Sequence, residues 1–198
     1  MKTADLVDVH GDDVHFCKLP FLKLGERKSF AGPIATVKCF EDNAVLKSEL
    51  QKPGEGRVMV VDGSGSTRVA LLGDQIAMIL RDNGWAGIII NGSVRDSAET
   101  NDMNVGVFCL SVTPKKSVKD GAGKAGVPVQ FGGVTFAPRA YAYVDADGVL
   151  ASSRDLLCAA EEHRRLRLFK QVRVKRLSAA GGWSRRAPAG VTQKNAGD

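Results

Sequence analysis

Apolar residues in this chain fall in short runs whose period changes from segment to segment. Arg57-Val58-Met59-Val60-Val61 is a mostly β-branched run closed by Asp62-Gly63-Ser64-Gly65-Ser66, the pattern of a buried strand and its exit loop. Asp74 then opens a stretch with Ile76, Ala77, Ile79 and Leu80 at helical spacing, and Gly84 follows its last turn, where a left-handed stop is commonly needed. Ala86-Gly87-Ile88-Ile89-Ile90 is the next buried strand, expected to end at Asn91-Gly92. A strand, helix and strand of this length imply a parallel pair with a right-handed crossover.

The same patterning extends outward. The first sixteen residues carry a short acidic segment with a helix starting near Thr3. Residues 29–40 read as a strand interrupted by a bend at Gly32-Pro33, and residues 41–50 as a helix through Val45, Leu46 and Leu50, stopped by Pro53-Gly54. Residues 105–112 form a third candidate core strand, and the Gly- and Lys-rich residues 115–126 a loop. Pro128-Val129-Gln130-Phe131 resumes a strand. Residues 131–136 and 141–145 alternate like strands joined at Pro138, and Asp145-Ala146-Asp147-Gly148 is a tight turn. The chain therefore reads as α/β with more strands than helices. Residues 156–169 fit one further helix, with Glu161 and Glu162 paired to the following arginines.

The central unit also carries chemistry. A crossover helix runs antiparallel to both its strands, so its first turn lies where the strands end. That edge is where open α/β sheets usually bind ligands. The amides of Gly73, Asp74, Gln75 and Ile76, the Asp62 loop and the Arg95-Asp96 loop must share it. Free N–H groups of a first turn suit a carboxylate or phosphate. Arginine holds carboxylates and aspartate a divalent cation, so the set outlines a site for a small metal-bound oxo-acid.

Composition narrows the alternatives. With 198 residues, 43% of them hydrophobic, the chain can bury one good core. It has no apolar run of membrane-spanning length, and its acidic, polar start is unlike a signal or transit peptide. The cytoplasm is thus the expected location, with an organelle left open. The net charge of +6 is uneven: residues 161–198 hold ten Lys and Arg against three acids, leaving residues 1–160 at −1. This basic end reads as a solvated or disordered extension with few aromatics to stack on bases, suited at most to non-specific acidic or nucleic-acid partners. Cys17, Cys39, Cys109 and Cys158 are scattered, without zinc spacing, and read as buried free thiols. His10 and His15 beside Asp12-Asp13 read as surface residues rather than a metal cluster. Gly63-Ser64-Gly65-Ser66 is too incomplete for a nucleotide loop and lends no support to an S-adenosylmethionine site. Asp145-Ala146-Asp147-Gly148 lacks the distal Glu of a calcium loop.

Four blocks carry a family resemblance: FAGPIATVKCFEDNAVLKSEL, GRVMVVDGSGSTRVALLGDQIA, the run from Trp85 through Asp96, and VQFGGVTFAPRAYAYVDADGVLAS. Over roughly residues 3–155 the chain resembles the regulator of ribonuclease activity A and its relatives, the metal-dependent 4-hydroxy-4-methyl-2-oxoglutarate aldolases. The resemblance implies a compact ββα sandwich of the swivelling-domain type, assembled as a trimer or paired trimers. One such domain is expected over residues 1–157, and charge and pattern add a basic C-terminal helix and tail over 158–198. Aldolase-competent members carry Asp, twenty residues, then Arg-Asp, and here residues 75–94 separate Asp74 from Arg95-Asp96.

By that resemblance Asp96 holds Mg²⁺ or Mn²⁺ through oxygen and water ligands. Arg95 binds the ketone oxygen and stabilises the pyruvate enolate, and the amides of Gly73, Asp74, Gln75 and Ile76 grip the pyruvyl carboxylate. Asp74 adds a hydrogen bond to a metal-bound water. The implied activity is class II pyruvate aldol cleavage of a 4-hydroxy-2-oxo acid, with oxaloacetate decarboxylation through the same enolate. The rival reading is a regulator that binds ribonuclease E or another RNA-degrading enzyme and needs no metal. One departure is Pro138-Arg139-Ala140, where the family often has Pro-Gly-Asp at the pocket rim and trimer contact. Aldolases also draw an acid from a neighbouring subunit's C-terminal segment, where this chain has Glu161 and Glu162.

Overall fold

The computed structural model describes residues 2–157, and the compact unit treated below is Met1–Leu156. Twelve strands and four α-helices occur among these residues: α1 (Thr3–His10), β1 (His15–Phe16), β2 (Leu22–Leu24), β3 (Phe30–Cys39), α2 (Ala44–Leu50), β4 (Val58–Asp62), β5 (Ala70–Leu72), α3 (Asp74–Asp82), β6 (Gly87–Val94), α4 (Ser97–Asn101), β7 (Val107–Val112), β8 (Gly123–Ala125), β9 (Val129–Phe131), β10 (Val134–Phe136), β11 (Tyr141–Val144) and β12 (Val149–Ser152). Most strands join one sheet in the order β1-β12-β11-β3-β4-β6-β7-β2, with β5 added to β6 and β8 to β3, while β9 and β10 pair by themselves. The helix expected over 156–169, and the basic end, lie outside the described residues apart from Leu156 and Leu157.

Strand alternation makes the layers. In β4, Met59 and Val61 join the core under α2 and α3, whereas Val58 and Val60 face a second core with Phe131, Phe136 and Val144. In β6, Ile88 and Ile90 take the helix side and Ile89 the other. Both strands are buried throughout, so each reads as a continuous apolar run rather than an alternating one. The result is a mixed α/β fold with helices on one face of the central parallel strands and further strands beneath the other.

Pro33 does not bend the chain as its sequence context suggests. β3 is continuous over ten residues and changes partner there: Phe30 through Pro33 pair antiparallel with β11, and Ile34 through Lys38 pair parallel with β4. Proline sits where one ladder gives way to the next. Gly32 allows the Gly56 carbonyl to approach, since a Cβ there would lie 2.1 Å from its oxygen.

Residues 131–136 likewise form no single strand. Gly132 and Gly133 adopt φ of 58° and 80° and make the two-residue turn of the β9–β10 hairpin, a conformation that favours glycine. The loop expected over 115–126 contains β8, and the chain between the Gly63–Ser66 loop and α3 contains β5.

The turn at 145–148 is as expected, and its aspartate is fully committed. The Asp145 carboxylate accepts from the Thr3 amide and hydroxyl, each at 2.6 Å, and from the Asp147 amide at 2.9 Å, capping α1 from a distant loop. Arg139 has φ of 72° and an exposed side chain. A left-handed non-glycine residue costs about 1–2 kcal/mol, partly offset by the lower chain entropy that a side chain gives the unfolded state. Arg139→Gly should therefore raise the thermal midpoint by about 2–4 °C, read by scanning calorimetry.

Candidate functional site

The carboxyl ends of β4, β5 and β6 meet the first turn of α3, and the backbone ladder fixes how. β6 runs past Asn91-Gly92 to Val94, four residues beyond Ile90, because β5 and the end of β7 flank it there in parallel. One step further, the Arg95 amide donates to the Leu72 carbonyl at 2.9 Å, and the Thr113 amide donates to the Val94 carbonyl at 2.9 Å. Arg95 and Asp96 are thus held between the end of β5 on one side and residues 112–114 on the other.

Asp96 turns its carboxylate back toward α3. Its backbone lies in the left-handed region, φ 52° and ψ 48°, and its carbonyl starts α4 by accepting from the Thr100 amide and hydroxyl. Carboxylate Oδ2 accepts from the Asp74 amide at 3.3 Å and lies 3.2 Å from Arg95 Nε. Gly73 permits the approach: a Cβ built on it would sit 2.5 Å from Asp96 Oδ2 and 3.0 Å from Arg95 Nε. The residues singled out from spacing therefore do share one edge.

Their parts differ. The Ile76 amide donates to the Gly73 carbonyl at 3.1 Å, and its side chain packs into the helix-side core. That amide is occupied within the first turn, so the donors left without an acceptor among the described residues are those of Gly73 and Gln75. Asp74 is half-buried and Gln75 exposed. Arg95 and Asp96 keep side-chain exposures of 36% and 32%, a degree at which an ion pair adds about 0–1 kcal/mol to stability. Stability alone gives little reason for the pair, still less for an aspartate in a conformation that costs energy.

Backbone strain gathers along this edge. Glu41, Ser64 and Asp96, three of the five non-glycine residues with positive φ among the described residues, follow the ends of β3, β4 and β6. Such residues cluster at functional sites, where the surrounding structure enforces them. Sequence reading did not single out Glu41, yet it organises the rim. Its carboxylate accepts from Ser66 Oγ at 2.6 Å and Arg68 Nε at 2.7 Å, and the Arg68 bond leads the causes that hold its pKa below the usual carboxylate range. Asp42, also unanticipated, is fully buried. Burial would raise its pKa, but the amides of Ala44, Ala122, Asp120 and Gly121 bring it lower and pin the loop after β7.

The glycine-serine loop after β4 closes on itself. Gly63 and Gly65 amides donate to the Asn91 carbonyl, the Ser64 amide to Asp62 Oδ1 and the Ser66 amide to the Gly63 carbonyl. Asn91 Nδ2 also donates to Asp62 Oδ1 at 2.9 Å. No amide of this loop is left to cradle a phosphate. Cys17, Cys39 and Cys109 are buried free thiols, with burial pushing Cys39 and Cys109 up to about 12. Among the described residues no group of three or more His, Cys, Asp or Glu side chains is placed to hold a metal, and no helix is long and apolar enough to cross a membrane.

The layered sheet, with the first turn of α3 beside an Arg-Asp pair at its carboxyl edge, defines a class of mixed α/β domains. The chain belongs to the RraA-like family, described as Aldolase/RraA, whose model matches residues 3–151. That family includes both aldolase or decarboxylase members and inhibitors of ribonuclease E. Among solved structures, the chain is 50% identical to a Geobacillus kaustophilus protein named S-adenosylmethionine: 2-dimethylmenaquinone methyltransferase, with a TM-score of 0.79 over 80% of this chain and 98% of that one. The RNA-processing inhibitor RraA from Thermus thermophilis is 38% identical, with a TM-score of 0.75 over 78% of this chain and 93% of that one. Streptomyces coelicolor RraAS2, an unusual member of the RNase ES inhibitor RraA family, is 23% identical and has a TM-score of 0.63 over 86% and 90% of the two chains, a likeness of fold.

Proposed function

We infer that the chain is a divalent-metal-dependent, pyruvate-forming lyase that cleaves 4-hydroxy-2-oxo acids of the 4-hydroxy-4-methyl-2-oxoglutarate type and decarboxylates oxaloacetate. The observation that carries this reading is the approach of Asp96 and Arg95 to the Cα of Gly73. It brings an anion-binding turn, a guanidinium and a carboxylate to one point of the surface.

The donor set fits a hard cation. Asp96 Oδ2 is engaged by Asp74 and Arg95, whereas Oδ1 meets no donor among the described residues. One carboxylate oxygen with room for water is how Mg²⁺ is commonly held, since that ion keeps several waters. Bound there, Mg²⁺ or Mn²⁺ would act as a Lewis acid on the 2-oxo acid. The Gly73 and Gln75 amides would hold the substrate carboxylate, with the helix dipole behind them. Arg95 would donate to the ketone oxygen and stabilise the negative charge that grows there as the C3–C4 bond breaks. Asp74, at the head of α3, would hold a water at the same turn. An assembly of three or six copies would suit the family, with any acid from residues 161–162 lying outside the described residues.

A second reading, protein-level regulation of an RNA-degrading enzyme, is favoured by 38% identity to a protein named an RNA-processing inhibitor. It needs no metal, and both roles can reside on one molecule. Methyl transfer, suggested by the other relative's name, lacks a cradle in the glycine-serine loop, whose amides are all internally bonded. Pyruvate release from oxaloacetate separates lyase from pure regulator: it should require Mg²⁺ or Mn²⁺ and stop on chelation, measured by coupling pyruvate to its enzymatic reduction. Equal inactivity with and without metal would end the lyase reading.

A further inference from the structure

After β7 the chain crosses the carboxyl edge of the sheet beside Arg95. Val112 pairs with Val94, and the Thr113 amide donates to the Val94 carbonyl, so both residues lie on one flank of β6. β5 lies on the other flank, with Ala70 opposite Ser93. Lys116 is nevertheless already paired with Ala70: the Ala70 amide donates to the Lys115 carbonyl at 2.8 Å, and the Ser117 amide to the Ala70 carbonyl at 3.3 Å. The amide and carbonyl of a strand residue point to the same side, so Lys116 lies on the side of β5 away from β6. Three strand spacings, about 14 Å, thus separate Val112 from Lys116, and four extended residues reach about 13–14 Å. Residues 113–115 are therefore drawn nearly straight across the ends of β6 and β5. Thr113 and Pro114 accordingly line a cleft of about 290 Å³ together with Arg95 and Asp96.

This crossing brings cations to the edge that holds Arg95 and the first turn of α3, and they are not equivalent. The charge of Lys115 acts on Glu41, which Arg68 already pairs at 2.7 Å. Lys119 lies farther out, past the bridge between Val118 and Asp42 that follows β3. Lys116 is the available one. Ser117 is buried, so strand alternation turns Lys116 outward, where it is exposed and has no acidic partner among the described residues. Two strand spacings across the sheet and two residues along β6 put its Cα about 12 Å from that of Arg95. Two long side chains can close such a gap on a ligand a few carbons long.

We propose that Lys116 binds the distal carboxylate of a dicarboxylic 4-hydroxy-2-oxo acid and so sets substrate choice. This deepens the lyase reading and rests on it. The substrate type of that reading carries carboxylates at C1 and C5. With C1 at the Gly73 and Gln75 amides and the ketone at Arg95, C5 lies beyond the bond that breaks and needs a counter-charge of its own, since a carboxylate that loses water without one binds poorly. The C3–C4 electron pair moves into the enolate, the 4-hydroxyl gives its proton to water and becomes a carbonyl, and C3 takes a proton from water. The C4–C5 fragment departs as a second 2-oxo acid with its carboxylate unchanged. A group whose charge is constant through the reaction is held equally in substrate and transition state, so Lys116 acts on KM rather than on kcat. Oxaloacetate is the informative exception. It is one carbon shorter, and its distal carboxylate must shed its charge as CO₂, so a cation there does not favour its reaction.

The test measures pyruvate release, with Mn²⁺ present, from 4-hydroxy-4-methyl-2-oxoglutarate, from a 4-hydroxy-2-oxo acid ending in methyl, and from oxaloacetate. The full-length chain should favour the carboxylate-ended acid over the methyl-ended one in kcat/KM. Lys116→Gln should raise KM for the carboxylate-ended acid by about tenfold, the effect of one charge-assisted hydrogen bond, with kcat within about twofold. The methyl-ended acid should be unaffected. Lys116→Arg keeps the charge and should keep most of the preference. Oxaloacetate turnover should not fall in either variant, which reports that the fold and the reacting centre are intact. A full-length chain indifferent to the distal carboxylate, or an unchanged ratio in Lys116→Gln, overturns the proposal while leaving the lyase reading intact. A parallel fall with all three substrates also overturns it, since Lys116 would then support the fold rather than read the substrate. No pyruvate from any of the three overturns both.

Discussion

Gly73→Ala should abolish most lyase turnover while leaving the protein folded. The φ of Gly73, −132°, is open to any residue, so alanine adds no backbone strain. It adds one methyl group, and the nearest atoms are the functional ones: Asp96 Oδ2 at 2.5 Å, Arg95 Nε at 3.0 Å and Arg95 Cγ at 3.2 Å. These are the outer parts of half-exposed side chains, which can swing away at small cost to stability. In moving, they forfeit the alignment of carboxylate, guanidinium and α3 amides. A displacement of about 1 Å at a reacting centre costs on the order of a hundredfold in rate. We expect kcat/KM for metal-dependent pyruvate release to fall by about that factor, with a thermal midpoint within about 3 °C of the parent. Activity within a few-fold of the parent would mean that residues 95 and 96 do no chemistry next to Gly73.

That contact was legible in outline from the sequence, because a crossover helix between parallel strands leaves little choice about where its first turn lies. Pattern alone placed β4, α3 and β6 and put Gly84 at a left-handed stop, where its φ is 73°. It did not reveal the length of β6. The run from Asn91 to Val94 reads as a loop because Asn91, Gly92 and Ser93 are poor strand formers, and they are strand only because β5 and β7 flank them. A tertiary ladder outweighs local preference there. Gly32-Pro33 misled for a related reason: a residue without an amide proton looks like a break, yet it is tolerated where a strand changes partners. Glu41 and Asp42 were invisible as site-shaping groups, since their partners, Arg68 and the amides of 120–122, are distant in sequence. The Ile76 amide was expected to bind ligand, but spacing cannot show that the first turn closes on the Gly73 carbonyl.

Asp96→Asn separates the two functions that the family accommodates. Asparagine has the shape of aspartate and tolerates the left-handed backbone that Asp96 adopts, so the start of α4 and the path of the chain should persist. The stability at stake is that of one part-exposed ion pair, which is small. The chemistry at stake is larger. The amide is neutral, it competes poorly with water for Mg²⁺ or Mn²⁺, and it frees Arg95 from the partner that orients Nε at 3.2 Å. Turnover should fall by about a hundredfold to a thousandfold, comparable to losing one electrostatic group at a transition state, and raising Mn²⁺ should restore part of it. Binding to an RNA-degrading enzyme, measured by co-sedimentation with purified components, should be unchanged, because a masking surface needs shape and rim polarity rather than a metal ligand. Retention of metal-dependent turnover within about tenfold would remove Asp96 from the lyase site. Loss of partner binding in the same folded variant would instead make this edge of the sheet the regulatory surface.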